Sequence, residues 1–169
     1  IRDLRPIHIM INGWAGCGKT TLAKITANML NANFIYRVPE QLDDMDKILD
    51  IINEIQSTER LTVFMLDEIH TINKFPKIVN ILLPILQEWK YGNADIRPFV
   101  MIGATTERDQ VVKKQAPLVS RFQVQITLDK YNPSELKTII KHYKDSQHKN
   151  HNMTDEDYDI ITKNSRGIP

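Results

Sequence analysis

Residues 13–20 read Gly13-Trp14-Ala15-Gly16-Cys17-Gly18-Lys19-Thr20, and no other stretch restricts the possible folds of this chain as strongly. The spacing G-x-x-x-x-G-K-[ST] works only where a strand delivers the chain into a tight loop and a helix leaves it. Glycines then let successive backbone N–H groups and the helix N-terminus converge on one anion. The apolar run Ile7 to Ile11 supplies the entering strand. Leu22, Ile25 and Met29 recur at helical spacing and predict a helix with a core-facing stripe. In that setting Lys19 neutralises β- and γ-phosphate charge and the Thr20 hydroxyl ligates Mg²⁺. The bland alternative is a glycine-rich turn between a strand and a helix.

The rest of the sequence extends the pattern. Further apolar runs at Phe34 to Val38, Leu61 to Leu66, Phe99 to Ile102 and Phe122 to Leu128 alternate with helical patterns. This order predicts an α/β fold, a three-layer sandwich around a mostly parallel five-stranded sheet covered on both faces. Leu42, Met45, Ile48, Leu49, Ile52 and Ile55 give a second helical stripe. Pro84 falls within a third helical stretch, Ile78 to Trp89, and is expected to kink or split it. Beyond Leu128 the strand signals cease. Asn132 and Pro133 open a helix to Tyr143, and Thr154 with Asp157 forms a capping box for a last helix to about Asn164. The expected organisation is an α/β core over residues 1–129 followed by the beginning of a helical lid over 130–169.

Several classes are excluded by composition. One cysteine, Cys17, forms no internal disulfide, and no Cys/His pair has zinc-finger spacing, which fits a reducing, cytoplasmic-type compartment. No apolar run approaches the ~18 residues of a membrane span. With 22 Lys+Arg against 21 Asp+Glu, the chain lacks a basic footprint over its whole surface. Residues 108–149 hold nine Lys/Arg and four Asp/Glu, or +5, but lysines on a helix are usually a solvated face. The start at Ile1 and the end at Pro169 suggest a piece of a longer protein.

Three further clusters can carry chemistry. Val63 to Leu66 is an apolar run ending in Asp67-Glu68. A buried parallel strand presents such carboxylates at the C-terminal sheet edge, where open α/β sheets bind ligands. There Asp67 can hold Mg²⁺ and Glu68 can orient and deprotonate an attacking water; by itself the pair also suits a strand end and a solvated turn. His70 reads as a local hydrogen-bonding residue. Val100 to Ile102 leads into Gly103-Ala104-Thr105-Thr106, where Thr105 can contact the water or the γ-phosphate, or simply sit in a turn. Arg121, just before the last strand, is either a surface arginine or a phosphoryl-directed guanidinium supplied to a neighbouring subunit. Cys17 reads chiefly as a small packed residue.

The order of these elements resembles the AAA+ ATPases, and particular strings are similar to the RuvB-type Holliday-junction branch-migration motors. These strings are Thr20-Thr21-Leu22-Ala23, Asp67-Glu68-Ile69-His70, Ile102-Gly103-Ala104-Thr105-Thr106, Pro117-Leu118 with Arg121-Phe122, and Ser165-Arg166-Gly167-Ile168-Pro169. The resemblance spans nearly the whole chain. It implies ATP and Mg²⁺ as cofactors, nucleotide contact along Gly13 to Thr21, a sensor role for Thr105 and a trans-acting finger role for Arg121. It also implies a homo-oligomeric, hexameric ring that acts on DNA. The acidic and Val119-Ser120-Arg121 segments are equally similar to RarA-type and clamp-loader ATPases, in which nucleotide binding serves as an assembly switch. Three departures stand out. Lys90 to Arg97 is short where the RuvB-type family has a long hairpin that grips its partner RuvA, which argues against RuvA docking. The lid arginine expected after Pro169 and the flanking adenine-contacting and winged-helix segments lie outside the sequence. Trp14 replaces the usual proline of the phosphate loop.

Overall fold

The computed structural model describes residues 6–147 and 153–169. The end of the basic 108–149 segment therefore lies outside the described residues. The chain divides into two units, Ile1–Asn12 with Lys19–Thr127, and Gly13–Gly18 with Leu128–Pro169. The glycine loop thus groups with the helical residues after 127 rather than with the sheet.

In chain order the elements are β1 (Ile9–Gly13), α1 (Lys19–Met29), β2 (Asn33–Arg37), α2 (Met45–Ser57), β3 (Thr62–Leu66), α3 (Pro76–Glu88), β4 (Lys90–Tyr91), β5 (Ala94–Asp95), β6 (Val100–Thr105), α4 (Arg108–Lys114), α5 (Ala116–Val119), β7 (Val124–Leu128), α6 (Pro133–Gln147) and α7 (Asp155–Asn164). Turns of 3₁₀ helix lie at Pro39–Leu42 and Ile69–Lys74.

In the first unit the sheet runs β2-β3-β6-β1-β7. The β2–β3, β3–β6 and β6–β1 ladders are parallel. Every residue of β3 and β6 is buried, as a strand covered on both faces requires. The register pairs Leu66 with Gly103 and Asn12 with Thr105, so β3, β6 and β1 end together at one sheet edge. His8, only 1% exposed, packs its ring 5.5 Å from Trp89 and 6.2 Å from Phe99. Its Nδ1 accepts the Met101 N–H at 3.1 Å.

Three expectations need correction. The Leu22, Ile25, Met29 stripe of α1 does not face the core: Ile25 is 49% and Met29 82% exposed, while Ala23 and Ala27 are buried. Small alanines let the helix lie close to the sheet, and the bulkier side chains are turned outward. In α2 the buried stripe is Ile48, Ile51, Ile52 and Ile55, with Met45 left exposed. Pro84 does not break α3, which runs unbroken from Pro76 to Glu88. Pro84 and Asn80 both lie on the exposed face, where water can reach the carbonyl that the missing N–H leaves free. The segment Lys90 to Asp95 is a two-stranded ribbon turned by Gly92 and Asn93.

In the second unit α6 and α7 begin at the caps the sequence predicts. Asn132 Oδ1 accepts the Glu135 N–H at 2.9 Å while Glu135 Oε2 accepts the Asn132 N–H at 2.8 Å. Thr154 and Asp157 make the same reciprocal pair at 3.3 and 2.8 Å. Lys137 on α6 joins Asp159 on α7 at 2.7 Å.

Candidate active site

Lys19 and Thr20 open α1, immediately after the glycine loop. Lys19 is buried, Thr20 half-buried and Thr21 exposed. Thr20 Oγ1 lies 3.4 Å from Asp67 Oδ2. A hydroxyl and a carboxylate oxygen this close are the hard donor set a Mg²⁺ ion takes from protein, with water or phosphate completing its shell. Asp67 follows β3, and the strand register continues into its backbone: its N–H donates to the Arg37 carbonyl at 2.9 Å. Asp67 Oδ1 accepts the Glu68 N–H at 2.9 Å. Its Oδ2 also accepts from the Tyr36 hydroxyl at 3.2 Å. Partial burial, with the nearby Asp67 charge, pushes the Tyr36 phenol above its ordinary pKa, so it stays a hydrogen donor.

Glu68 occupies the left-handed region, φ 47° and ψ 42°. For a non-glycine residue this costs about 1–3 kcal/mol, and such strain persists only where neighbours over-determine it. The Thr106 hydroxyl donates to Oε2 at 3.1 Å, and His70 Nδ1 stands 3.1 Å from the same oxygen as an ion-pair contact.

Thr105 is fully buried. Its Oγ1 accepts the Glu107 N–H at 2.9 Å and lies 3.1 Å from His70 Nδ1. The hydroxyl therefore faces the 3₁₀ turn at Ile69–Lys74, and the threonine whose side chain reaches Glu68 is Thr106. β6 ends at Thr105, so the alternation of strand side chains sends one threonine inward and leaves the next to the loop.

Arg121 stands apart from this cluster. Its Nη2 donates to Gln87 Oε1 on α3 at 2.5 Å, and its buried Nε has no hydrogen-bond partner among the described residues. Among the described residues no hydrogen bond or ion pair joins Arg121 to Asp67 or Glu68.

The second unit holds the glycine loop. Trp14, Ala15 and Gly16 are exposed, Gly18 is half-buried and Cys17 is buried. The Cys17 N–H donates to the Trp14 carbonyl at 3.2 Å, and its own carbonyl accepts the Tyr131 hydroxyl at 3.2 Å. Gly16 has φ +82°, and a Cβ there would lie 2.5 Å from Ile168 Cγ2, so both backbone and space require glycine. Lys130 Nζ sits 4.5 Å from the centre of the Trp14 ring, a cation–π contact unavailable to a proline.

Sequence reasoning missed Tyr36, Thr106 and Gln87. Thr106 was one position from the residue singled out, and only the strand end separates the two. Tyr36 carries no motif; its signal is its place on β2, paired with Met65 two residues before Asp67.

A parallel sheet that ends in Asp67-Glu68 and Thr105-Thr106, with a G-x-x-x-x-G-K-T stretch between β1 and α1, is the build of a P-loop nucleoside triphosphatase. Residues 9–130 match the model of the ATPase family associated with various cellular activities, AAA. The chain belongs to that family. It is 31% identical to the Holliday junction branch migration complex subunit RuvB of Mycoplasmopsis pulmonis over 98% of its length and 53% of that protein. It is 33% identical to the subunit of the same name from Phytoplasma mali, over 96% of this chain and 49% of the other. The solved RuvB Holliday junction branch migration motor of Thermotoga maritima superposes with a TM-score of 0.82 at 34% identity, covering 96% of this chain and 50% of that one. The chain spans about half the length of the curated relatives it matches.

Proposed function

We propose that the chain is the ATP-binding and ATP-hydrolysing part of a ring-forming DNA motor of the branch-migration type, acting in recombination and repair. The observation that carries the reading is the Glu68 carboxylate, whose Oε2 accepts the Thr106 hydroxyl, next in the chain to an Asp67 that meets Thr20. A carboxylate held in place beside the hydroxyl and carboxylate that suit Mg²⁺ is what a general base for water requires. Residues 13–20 hold the triphosphate through backbone N–H groups, with Trp14 to Gly18 forming the loop, Lys19 offsetting phosphate charge and Thr21 beside it at the start of α1. Thr20 and Asp67 hold Mg²⁺, which when bound neutralises charge developing on the phosphate oxygens. Glu68 takes the proton of the attacking water, and Thr106 rather than Thr105 is the threonine that faces the reaction. Arg121, held by Gln87 away from its own Glu68, is offered to the neighbouring subunit's nucleotide, which makes a homo-oligomer, taken to be hexameric, part of the active site.

DNA as substrate is supported by the names of the relatives. No helix among the described residues is long and apolar enough to cross a membrane, and a cytoplasmic location suits a DNA motor. The short β4–β5 ribbon argues against a RuvA-like partner docking there. A second reading, a clamp-loader-like switch driven by nucleotide binding alone, is supported by the Asp67-Glu68-Ile69-His70 and Val119-Ser120-Arg121 strings.

Glu68→Gln tests the proposal. It is expected to retain binding of Mg-ATP and to lower turnover at least about 100-fold. In a motor, the substitution stalls branch migration; in a switch, assembly continues. Wild-type protein that binds no Mg-ATP in calorimetry refutes both readings.

A further inference from the structure

We infer that His70 is a positioning residue: its imidazole Nδ1–H, together with the Thr106 hydroxyl, fixes Glu68 Oε2 so that Oε1 is aimed at the attacking water. The inference rests on the proposed hydrolytic role of Glu68 and deepens it.

A glutamate has three rotatable side-chain bonds, and Glu68 is 40% exposed, so nothing about its own packing holds it. What holds it is two contacts on one oxygen, each 3.1 Å away and each from a different element: a hydrogen bond from the Thr106 hydroxyl in the loop after β6, and the ion-pair approach of His70 Nδ1 from the 3₁₀ turn. A carboxylate has no hydrogen to give, so the His70 contact requires the hydrogen on Nδ1, which is then shared with the Thr105 Oγ1 that stands 3.1 Å from the same nitrogen. Unlike the glutamate, the histidine is well held. Its side chain is only 15% exposed. Nδ1 lies 3.1 Å from Thr105 Oγ1, which is itself fixed by the Glu107 N–H at 2.9 Å. On the far side of the ring, Glu107 Oε1 stands 3.7 Å from Nε2, too long for a hydrogen bond but near enough to orient it. The backbone of the turn is fixed as well: the His70 carbonyl accepts Asn73 Nδ2 at 2.9 Å, and Ile69 and Ile72 are fully buried on either side.

The arrangement is a chain of supports. Buried Thr105, at the end of the central strand, orients His70; His70 orients Glu68. This gives the buried threonine a task that its distance from the reacting atoms would otherwise deny it, and it accounts for the left-handed backbone at Glu68. That conformation turns the side chain back over the 3₁₀ turn, where His70 waits.

The experiment compares His70→Ala and His70→Asn in the purified protein, by steady-state Mg-ATP hydrolysis and by calorimetric binding of a non-hydrolysable triphosphate analogue. The amide Nδ2–H of asparagine occupies nearly the place of Nδ1–H. His70→Ala is expected to lower kcat about 10- to 100-fold and to shift the analogue Kd less than about two-fold. His70→Asn is expected to recover most of kcat, and adding His70→Ala to Glu68→Gln is expected to cost nothing further. Should His70→Ala not fold, His70→Gln takes its place, since its donor stands one bond farther out and misses Oε2. The inference is overturned if wild type hydrolyses ATP and the alanine variant matches it. A loss wholly in binding, equal rates for asparagine and the failed-donor variant, or an additive double variant overturns it as well. Absence of hydrolysis in wild type overturns instead the functional reading on which it rests.

Discussion

Acidification is expected to weaken the first unit through one side chain, His8. The ring is 1% exposed, lies against Trp89 and Phe99, and spends its Nδ1 lone pair on the Met101 N–H. Burial disfavours the imidazolium and lowers the pKa from 6.5 to about 4, with a backbone contact to Leu86 opposing slightly. The unfolded chain takes up this proton near pH 6.5 and the folded chain only near pH 4. Between those values the unfolded state binds more protons, so stability falls as pH falls through the window, and below about 4 His8 removes nothing more. A shift of this size corresponds to about 3 kcal/mol in total and about 1 kcal/mol per pH unit near pH 5 to 6. Urea unfolding at about pH 7, 6 and 5 measures the slope. The control is His8→Asn, whose Oδ1 can still accept the Met101 N–H but does not titrate. It is expected to be less stable than wild type at pH 7, by roughly 1–3 kcal/mol for the lost ring volume, yet flatter by about 1 kcal/mol per pH unit. Parallel slopes for the two proteins would refute the assignment of the pH dependence to His8.

Gly13→Ala places a Cβ 2.6 Å from the Leu128 carbonyl oxygen; because backbone cannot swing aside, a loss of about 1–3 kcal/mol is expected in thermal unfolding. The two threonines should separate cleanly. Thr105→Val leaves the Glu107 N–H without its acceptor and is expected to lower stability by about 0.5–1.5 kcal/mol. Thr106→Val is expected to leave the melting temperature nearly unchanged while slowing hydrolysis at least about 10-fold. Arg121→Ala and Glu68→Gln subunits, each inactive alone, are expected to regain activity when mixed, because an intact glutamate then meets a neighbour's intact arginine. A mixture as inactive as its components would place Arg121 in its own subunit's chemistry.

Periodicity made the strands legible: the five apolar runs fall within three residues of β1, β2, β3, β6 and β7, most plainly at β3 and β6, because wholly buried strands admit few polar side chains. It failed on α1, where apolar spacing marked Ile25 and Met29 and the alanines between them went to the core. Spacing finds which residues share a face; the clearance between helix and sheet decides which face is buried. Pro84 was misjudged for a related reason, since a lost hydrogen bond on a wet face is repaired by water that no sequence displays.

The sequence by itself determined the loop, the helix that follows it and the carboxylate pair, because that chemistry depends on neighbours a few bonds apart. Gly16 needs a left-handed backbone, Lys19 and Thr20 need a helix start, and Asp67 needs a strand end. What only the tertiary structure decided is the company these residues keep. Tyr36 reaches Asp67 from another strand, Thr106 rather than Thr105 reaches Glu68, His70 bridges both, and Gln87 holds Arg121. Those contacts depend on strand register and on the direction of single side chains at a strand end, and a shift of one residue exchanges the side chain that faces the site for the one that faces the core.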